Sequence, residues 1–147
     1  MIRRLLPLFV LCVIAFAGAQ TEPVAPAVRF EPVDVIVDAG NVPLGAYQFE
    51  LAVEKGEAVI VGLEGGEHAA FKEPPFYDPA ALAQSRIVVA AFSTDKVLPA
   101  GATRVARLHM QVTGSADYAV KLVVATDAKG EAVKAAIRTE KPKLETK

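Results

Sequence analysis

Polar and apolar residues alternate along several stretches of this chain with a period of two. In residues 47–53, for example, Tyr47 and Phe49 alternate with Gln48 and Glu50. Successive side chains of a β-strand point to opposite faces, so this period predicts strands with one buried and one solvated face. Shorter apolar runs are typical of strands that are covered on both faces. The predicted strands are 33–37, 47–53, 58–63, 87–92, 107–112, 118–124 and, with the weakest pattern, 133–139.

Residues that favour turns separate these runs, and no long amphipathic helix interrupts them. The turn signals lie at 38–41, 54–57, 99–101, 113–115 and 127–130. About seven to nine short strands in this arrangement predict an all-β fold, an antiparallel immunoglobulin-like or jelly-roll β-sandwich. The one helical candidate is 78–84, where Asp78 can cap the helix and Pro79 stands at its first position. We expect a single domain at 28–139.

The first 19 residues have the pattern of a secretory signal peptide. Arg3 and Arg4 precede an apolar stretch of 15 residues, and Ala17-Gly18-Ala19 forms a small-x-small cleavage site. An uncleaved anchor needs about 20 apolar residues, so cleavage between Ala19 and Gln20 is the favoured interpretation. We expect an exported protein that is periplasmic, on the cell surface or secreted, with no stable membrane span after cleavage. Residues 20–27 would then be a spacer and 140–147 a charged, flexible tail.

Removal of the signal peptide changes the composition of the working protein. The remaining chain has 14 basic and 17 acidic residues, a formal charge of −3, and neither cysteine nor tryptophan. A slightly acidic surface argues against nucleic acid as a partner, although Arg104, Arg107 and Lys121 could share an exposed face. The absence of cysteine excludes thiol enzymes and zinc sites with cysteine ligands.

The segment 64–79 is the most unusual part of the chain, because it joins two predicted strands and is long and aromatic for a connection. Long connections of this kind are often functional. We identify a candidate binding set in it, formed by Glu67, His68, Phe71, Lys72, Phe76, Tyr77 and Asp78. Two interpretations stay open. The aromatic rings either fold back as a lid on the core, stiffened by Pro74 and Pro75, or face outward as a binding patch.

Neither a metal site nor a catalytic site is indicated by the sequence. Glu64, Glu67 and His68 are too few convergent ligands for a metal. His109 falls on the polar face of its predicted strand, where we expect a solvated residue. Known hydrolase, phosphate-loop and dinucleotide motifs are absent from the sequence. We therefore expect no enzyme activity and no cofactor.

The order of these pieces resembles the cohesin-like branch of the carbohydrate-binding β-sandwiches, over residues 28–132. The resembling segments are 45–53, 58–66, 87–93, 99–101 and 105–112. The resemblance implies a β-sandwich that acts in protein–protein interaction. Cohesins bind a calcium-binding dockerin module, but the side chains used for that contact have no identifiable counterpart here, and this chain has no dockerin-like Asp-x-Asp-x-Asp loop.

These observations together predict a non-catalytic binding or assembly module of the cell envelope or the extracellular space. The leading hypothesis is a cohesin-like domain that binds an exported protein through the 64–79 segment. A carbohydrate-binding module that recognises a polysaccharide is the alternative, although the missing tryptophan weakens it. A structural envelope domain without a small ligand is the third possibility.

Overall fold

A computed structural model of the chain describes residues 22–142 and shows an all-β fold. Six strands form one antiparallel sheet in the order β3-β4-β2-β5-β1-β6 within this range. The predicted signal peptide with its cleavage site, and the last residues of the predicted tail, lie outside the described residues. The strands are β1 Val28–Asp38, β2 Ala46–Gly65, β3 Phe76–Tyr77, β4 Arg86–Phe92, β5 Ala102–Thr126 and β6 Ala136–Glu140.

The alternation seen in the sequence determines which face of each strand is buried. In β2, Tyr47, Phe49 and Leu51 are buried whereas Gln48 and Glu50 lie at the partly exposed face. In β5 the same pattern buries Ala106, Leu108, Met110 and Val112, whereas in β1 five successive residues, 33–37, are all buried. The core is formed by side chains of β1, β2, β4 and β5, by the connection between β1 and β2, and by one ring from the 64–79 segment. Its largest fully buried members include Leu44, Ile60, Ile87, Leu108, Met110, Val33, Val35, Val37 and Val89.

The two longest strands each replace two of the predicted ones. Residues 47–53 and 58–63 both belong to β2, and 107–112 and 118–124 both belong to β5, so the described residues form six strands instead of the expected seven to nine. The turn signals at 54–57 and 113–115 are bends in which the chain does not reverse. Gly56 and Gly114 adopt positive φ there, and the pairing of β2 with β5 shifts register and continues past the bend. Turn residues and bulges use the same backbone conformations, which is why the pattern did not separate them.

The remaining predictions were close to the observed elements. The helical candidate at 78–84 is a single 3₁₀ turn, Pro79–Ala81, and the Asp78 carboxylate accepts a hydrogen bond from the Ala80 amide at 2.9 Å. The last strand, expected at 133–139, is β6, which extends to Glu140 and so into the predicted tail. No helix in residues 22–142 is long and apolar enough to cross a membrane.

Polar side-chain contacts add to the contacts made by the strand ladders. The buried hydroxyl of Tyr47 donates to the Val105 carbonyl at 3.0 Å, which connects the first half of β2 to the first half of β5 through the core. Burial raises the pKa of Tyr47. Between the paired strands β1 and β5, Arg107 donates two hydrogen bonds to Asp34, its partner in the ladder, at 2.6 and 2.9 Å. Hydrogen bonding to that carboxylate raises the pKa of Arg107.

A second polar cluster surrounds the carboxylate of Glu31. Tyr118 donates to it at 2.8 Å, the Lys141 ammonium lies 3.2 Å from it, and Arg29 donates at 3.0 Å. Burial of Glu31 by itself would raise its pKa, but these three donors outweigh it and lower the pKa below the ordinary value. Lys141 also lies over the Tyr118 ring, 5.3 Å from its centroid. The cluster therefore fastens the chain just beyond β6 to β1 and β5.

Candidate functional site

The 64–79 segment begins at the end of β2 and forms most of the connection from β2 to β4. It contains a 3₁₀ turn at Ala69–Phe71, then the edge strand β3 and then the turn Pro79–Ala81. The seven candidate residues therefore lie on three different small elements. The structure places them in different environments.

Glu67 and His68 make local hydrogen bonds that hold the segment in place. The Glu67 carboxylate accepts from the Arg104 amide at 2.9 Å and from the Thr103 hydroxyl at 3.4 Å. The Nδ1 atom of His68 accepts from the Ala70 amide at 3.1 Å, which caps the first 3₁₀ turn. Both side chains thus accept from main-chain donors, one on β5 and one in the 3₁₀ turn.

Glu64, the third residue of the metal hypothesis, contacts a different residue from those that Glu67 and His68 contact. Its carboxylate lies 2.7 Å from Nε2 of His109, on the neighbouring strand. His109 is half-exposed on the polar face of β5, where the sequence placed it. In residues 22–142 no group of three His, Cys, Asp or Glu side chains is arranged to hold a metal ion.

Phe71 and Tyr77 pack toward the interior. Phe71 is 3% exposed, and its ring contacts the edge of the Tyr47 ring at a centroid distance of 5.2 Å. Tyr77 is half-buried against the core. The Gly66 amide donates to the Phe71 carbonyl at 2.7 Å, which closes the segment over these rings. For these two rings the lid interpretation describes the structure better than the binding interpretation.

Phe76 is the aromatic residue of the segment that faces solvent. It is 67% exposed and lies parallel to the ring of Phe92, which is 66% exposed; the ring centroids are 6.1 Å apart and the interplanar angle is 10°. Phe92 is not among the candidates predicted from the sequence, because it ends an apolar run that we interpreted as covered on both faces. The period of two within β4 was the available signal, since it places Val88, Ala90 and Phe92 on one face.

The strand register assigns further residues to the same face. Phe76 pairs with Ala90, Ala90 with Gln48, and Gln48 with Val124, so these residues form one row across four strands. Val88 and Val124 are 38% and 41% exposed. We call the surface formed by Phe76, Val88, Phe92 and Val124 the Phe76–Phe92 face.

A charged pair borders this face. Arg86 donates two hydrogen bonds to the Glu50 carboxylate, at 2.8 and 2.6 Å. The hydrogen bonds from Arg86 lower the pKa of Glu50, and the carboxylate raises the pKa of Arg86. Both groups stay partly exposed, so the pair fixes the two side chains in position while their charges remain accessible.

An open depression of about 470 Å³ lies beside the face, between β4 and the Pro79–Ala81 turn. Asp78 stands at its rim, where its carboxylate caps the turn. Lys72, the last of the seven candidates, is exposed. The depression is lined by Asp78, Ala80, Ala81, Arg86, Ile87 and Val88.

Comparisons with models of protein families, with curated proteins and with solved structures find no match to this chain. Its function is therefore inferred from its own residues.

Proposed function

We propose that this protein is an exported, non-catalytic module that binds another exported protein through the Phe76–Phe92 face. The finer description of the fold as a cohesin-like antiparallel β-sandwich belongs to the same proposal. Its support is the resemblance in strand order between residues 28 and 132, together with the all-β sheet. Export is supported by the pattern of the first 19 residues, and N-terminal sequencing that finds Gln20 as the first residue of the mature protein tests it.

The observation that carries the binding proposal is the pair of exposed, parallel phenylalanine rings. Two such rings on one sheet face leave a large apolar area in water, and contiguous apolar patches on soluble proteins commonly mark interaction sites. Aromatic side chains are also enriched among the residues that dominate protein–protein affinity. Phe76 and Phe92 therefore replace the wider 64–79 set as the proposed anchors.

The surroundings of the rings suit a protein partner. Strand pairing on β4 holds both aromatic residues, so little conformational freedom is lost on binding. The Glu50–Arg86 pair at the border is typical of the polar rim that surrounds the apolar centre of an interface. Exposed charges at such a rim set the orientation and the association rate more than the affinity.

A carbohydrate remains the second candidate because of one feature of the same face. Gln48 and the Glu50–Arg86 pair put hydrogen-bonding groups beside the parallel rings. Flat aromatic surfaces with flanking polar groups suit sugar rings as well as proteins. The two candidates differ in the ligand of the face, a protein or a polysaccharide, and a single set of variants can distinguish them.

The experiment places a photo-crosslinking residue at position 76 and, as a control, at position 30. Phe30 is 69% exposed but lies on β1, three strands away from β4 in the sheet. We expect the protein with the crosslinker at 76 to capture a defined exported protein that the protein with the crosslinker at 30 does not capture. The purified partner should then bind the Phe76→Ala/Phe92→Ala variant about tenfold or more weakly, and the Phe30→Ala variant normally.

Two outcomes would count against this function. Equal binding of the partner to the double variant and to the unsubstituted protein would show that the Phe76–Phe92 face takes no part in the interaction. Binding to a panel of purified polysaccharides that the double variant loses, without any crosslinked protein, would establish the carbohydrate alternative. Circular dichroism of each variant checks that the fold is unchanged.

A further inference from the structure

One position of the Phe76–Phe92 face carries a much smaller side chain than the positions beside it. Alternate residues of β4 point into the core and onto this face, and the outward ones include Val88, Ala90 and Phe92. Val88 and Phe92 are exposed, whereas Ala90 between them is half-buried. The middle of this outward row is therefore lower than the two positions that flank it.

The neighbouring strands complete a wall around Ala90. Residues that pair directly across two strands share a face of the sheet, and Ala90 pairs with Phe76 on β3 and with Gln48 on β2. Phe76 is exposed and Gln48 is half-buried. Ala90 thus forms the floor of a depression in the face, which we call the Ala90 socket. Its four walls are the side chains of Phe76, Gln48, Val88 and Phe92.

Strand geometry sets the size of the Ala90 socket. Neighbouring strands lie about 4.8 Å apart, so the main chains that carry Phe76 and Gln48 are about 10 Å apart. Along β4, Val88 and Phe92 are separated by four residues, which corresponds to about 13 Å. The walls occupy part of both dimensions. The opening that remains has room for one side chain of a bound molecule.

Two of the walls also support each other. The rings of Phe76 and Phe92 are parallel, with their centroids 6.1 Å apart, although they belong to different strands. This contact and the pairing of β3 with β4 hold both rings in the absence of a partner. Little side-chain freedom is then lost when the socket is filled, which favours binding.

The walls determine which side chain the socket accepts. Three of the four are apolar, and the charged pair that borders the face, Glu50 with Arg86, is already joined by two hydrogen bonds. A charged group on Ala90 would lose water and gain no ionic partner, which is unfavourable. An aliphatic side chain in the same place removes its own surface and that of the walls from water, which is favourable.

We propose that the Ala90 socket receives one aliphatic side chain of the partner, and that the small size of Ala90 selects for it. The proposal rests on the proposed function, since it names the group of the partner that contacts the Phe76–Phe92 face. The two phenylalanine rings then bind as walls around this side chain. A larger residue at position 90 fills the socket, levels the face and excludes the same group.

Disulfide exchange measures the preference of the socket without an identified partner. The chain has one cysteine, Cys12, so in a Cys12→Ser background a Gln48→Cys substitution places a single thiol at the socket wall. The purified protein is equilibrated under partly reducing conditions with equal concentrations of isopentyl thiol, mercaptoethanol and thioglucose as their disulfides. The covalent link gives each probe a high effective concentration at the socket, so mass spectrometry of the adducts detects weak binding.

A thiol at position 52 is the matched control. Ala52 lies on the same strand and the same face as Gln48, but its cross-strand neighbours are Arg86 and Ala119 instead of the socket residues. Comparison of the two positions removes the intrinsic differences between the probes. We expect the ratio of isopentyl to mercaptoethanol adduct to be about threefold to tenfold higher at 48 than at 52, because part of an aliphatic chain is buried. Adding Ala90→Leu to the Gln48→Cys protein should abolish this excess.

The same substitution tests the partner captured by the crosslinker at position 76. We expect Ala90→Leu to weaken its binding about tenfold or more, and Ala52→Leu to leave it unchanged. Both alanines are half-buried on the outward face, so the added atoms do not enter the core. Circular dichroism of each variant checks that the fold is unchanged.

The socket is wrong if the isopentyl probe gains no more at position 48 than at 52, if thioglucose gains more than the isopentyl probe, or if Ala90→Leu leaves the excess in place. The proposed function fails by a different result, the absence of a partner crosslinked at position 76. A partner that depends on Phe76 and Phe92 but binds the Ala90→Leu variant normally would retain the function and overturn the socket.

Discussion

The bend shared by β2 and β5 can be tested by adding one methyl group at Gly56. Gly56 has a φ of +80°, a region that L-residues rarely adopt, and a Cβ atom there would overlap the carbonyl oxygen of Ser115 on β5. The Gly56→Ala variant therefore has two penalties. Gly101 is the matched control, because its φ of +73° is similar but a Cβ atom would meet nothing within 4 Å.

The expected magnitudes follow from these two environments. The left-handed conformation costs about 1–2 kcal/mol for alanine, and the stiffer unfolded chain returns about 0.4–1 kcal/mol in both variants. At Gly56 the backbone of β5 must also move, which costs about 1–3 kcal/mol more, as for other overpacked sites. We therefore expect Gly56→Ala to lower the free energy of unfolding by about 1–3 kcal/mol more than Gly101→Ala does.

Urea unfolding followed by far-UV circular dichroism measures this difference, since the protein has no tryptophan to report by fluorescence. The two variants should differ in the urea concentration at the midpoint of unfolding. They should share the same slope of unfolding free energy against urea concentration, because the surface exposed on unfolding is unchanged. An equal loss of stability in both variants would show that the Ser115 contact at the bend has no energetic role, and that the bend does not depend on the close approach of β5 to Gly56.

Three further predictions concern the polar contacts. Tyr47→Phe should destabilise the protein by about 1–3 kcal/mol in urea, because the buried Val105 carbonyl loses its donor. Burial holds the pKa of Tyr47 above its ordinary 10.0, so stability should fall as pH rises above 10, and less steeply in this variant. The pKa of Glu31 is lowered, so stability should fall as pH drops below 4.5; acid titration of Glu31→Gln should show a weaker fall. Asp34→Asn should cost about 1–3 kcal/mol by thermal or urea unfolding, because the Arg107 guanidinium loses its charged partner.

Part of the fold was predictable because burial in a sheet is a local property of the sequence. The all-β antiparallel fold is confirmed, and the buried residues Tyr47, Phe49 and Leu51 follow the period of two. The number of strands was not predictable in the same way. A glycine at positive φ serves equally in a reversing turn and in a bend, and only the pairing of Gly56 with Ala116 across the ladder distinguishes them.

The candidate site was likewise predictable only in part. The 64–79 segment could be singled out by its length and composition, but the exposure of each ring depends on neighbours that are distant in sequence. Phe71 is buried because Tyr47 lies beneath it, and Phe76 is exposed because β3 is an edge strand. Phe92, 16 positions after Phe76, joins it only through the pairing of β3 with β4.

The sequence by itself determined that this protein is built from strands, since side-chain polarity along a strand depends only on its alternating faces. It also determined the chemistry that is available, because the described chain contains no cysteine or tryptophan whatever its fold. The tertiary structure alone decided which apolar residues remain in water. Phe76 and Phe92 lie side by side only because β3 pairs with β4, and that pairing joins parts of the chain that are distant in sequence.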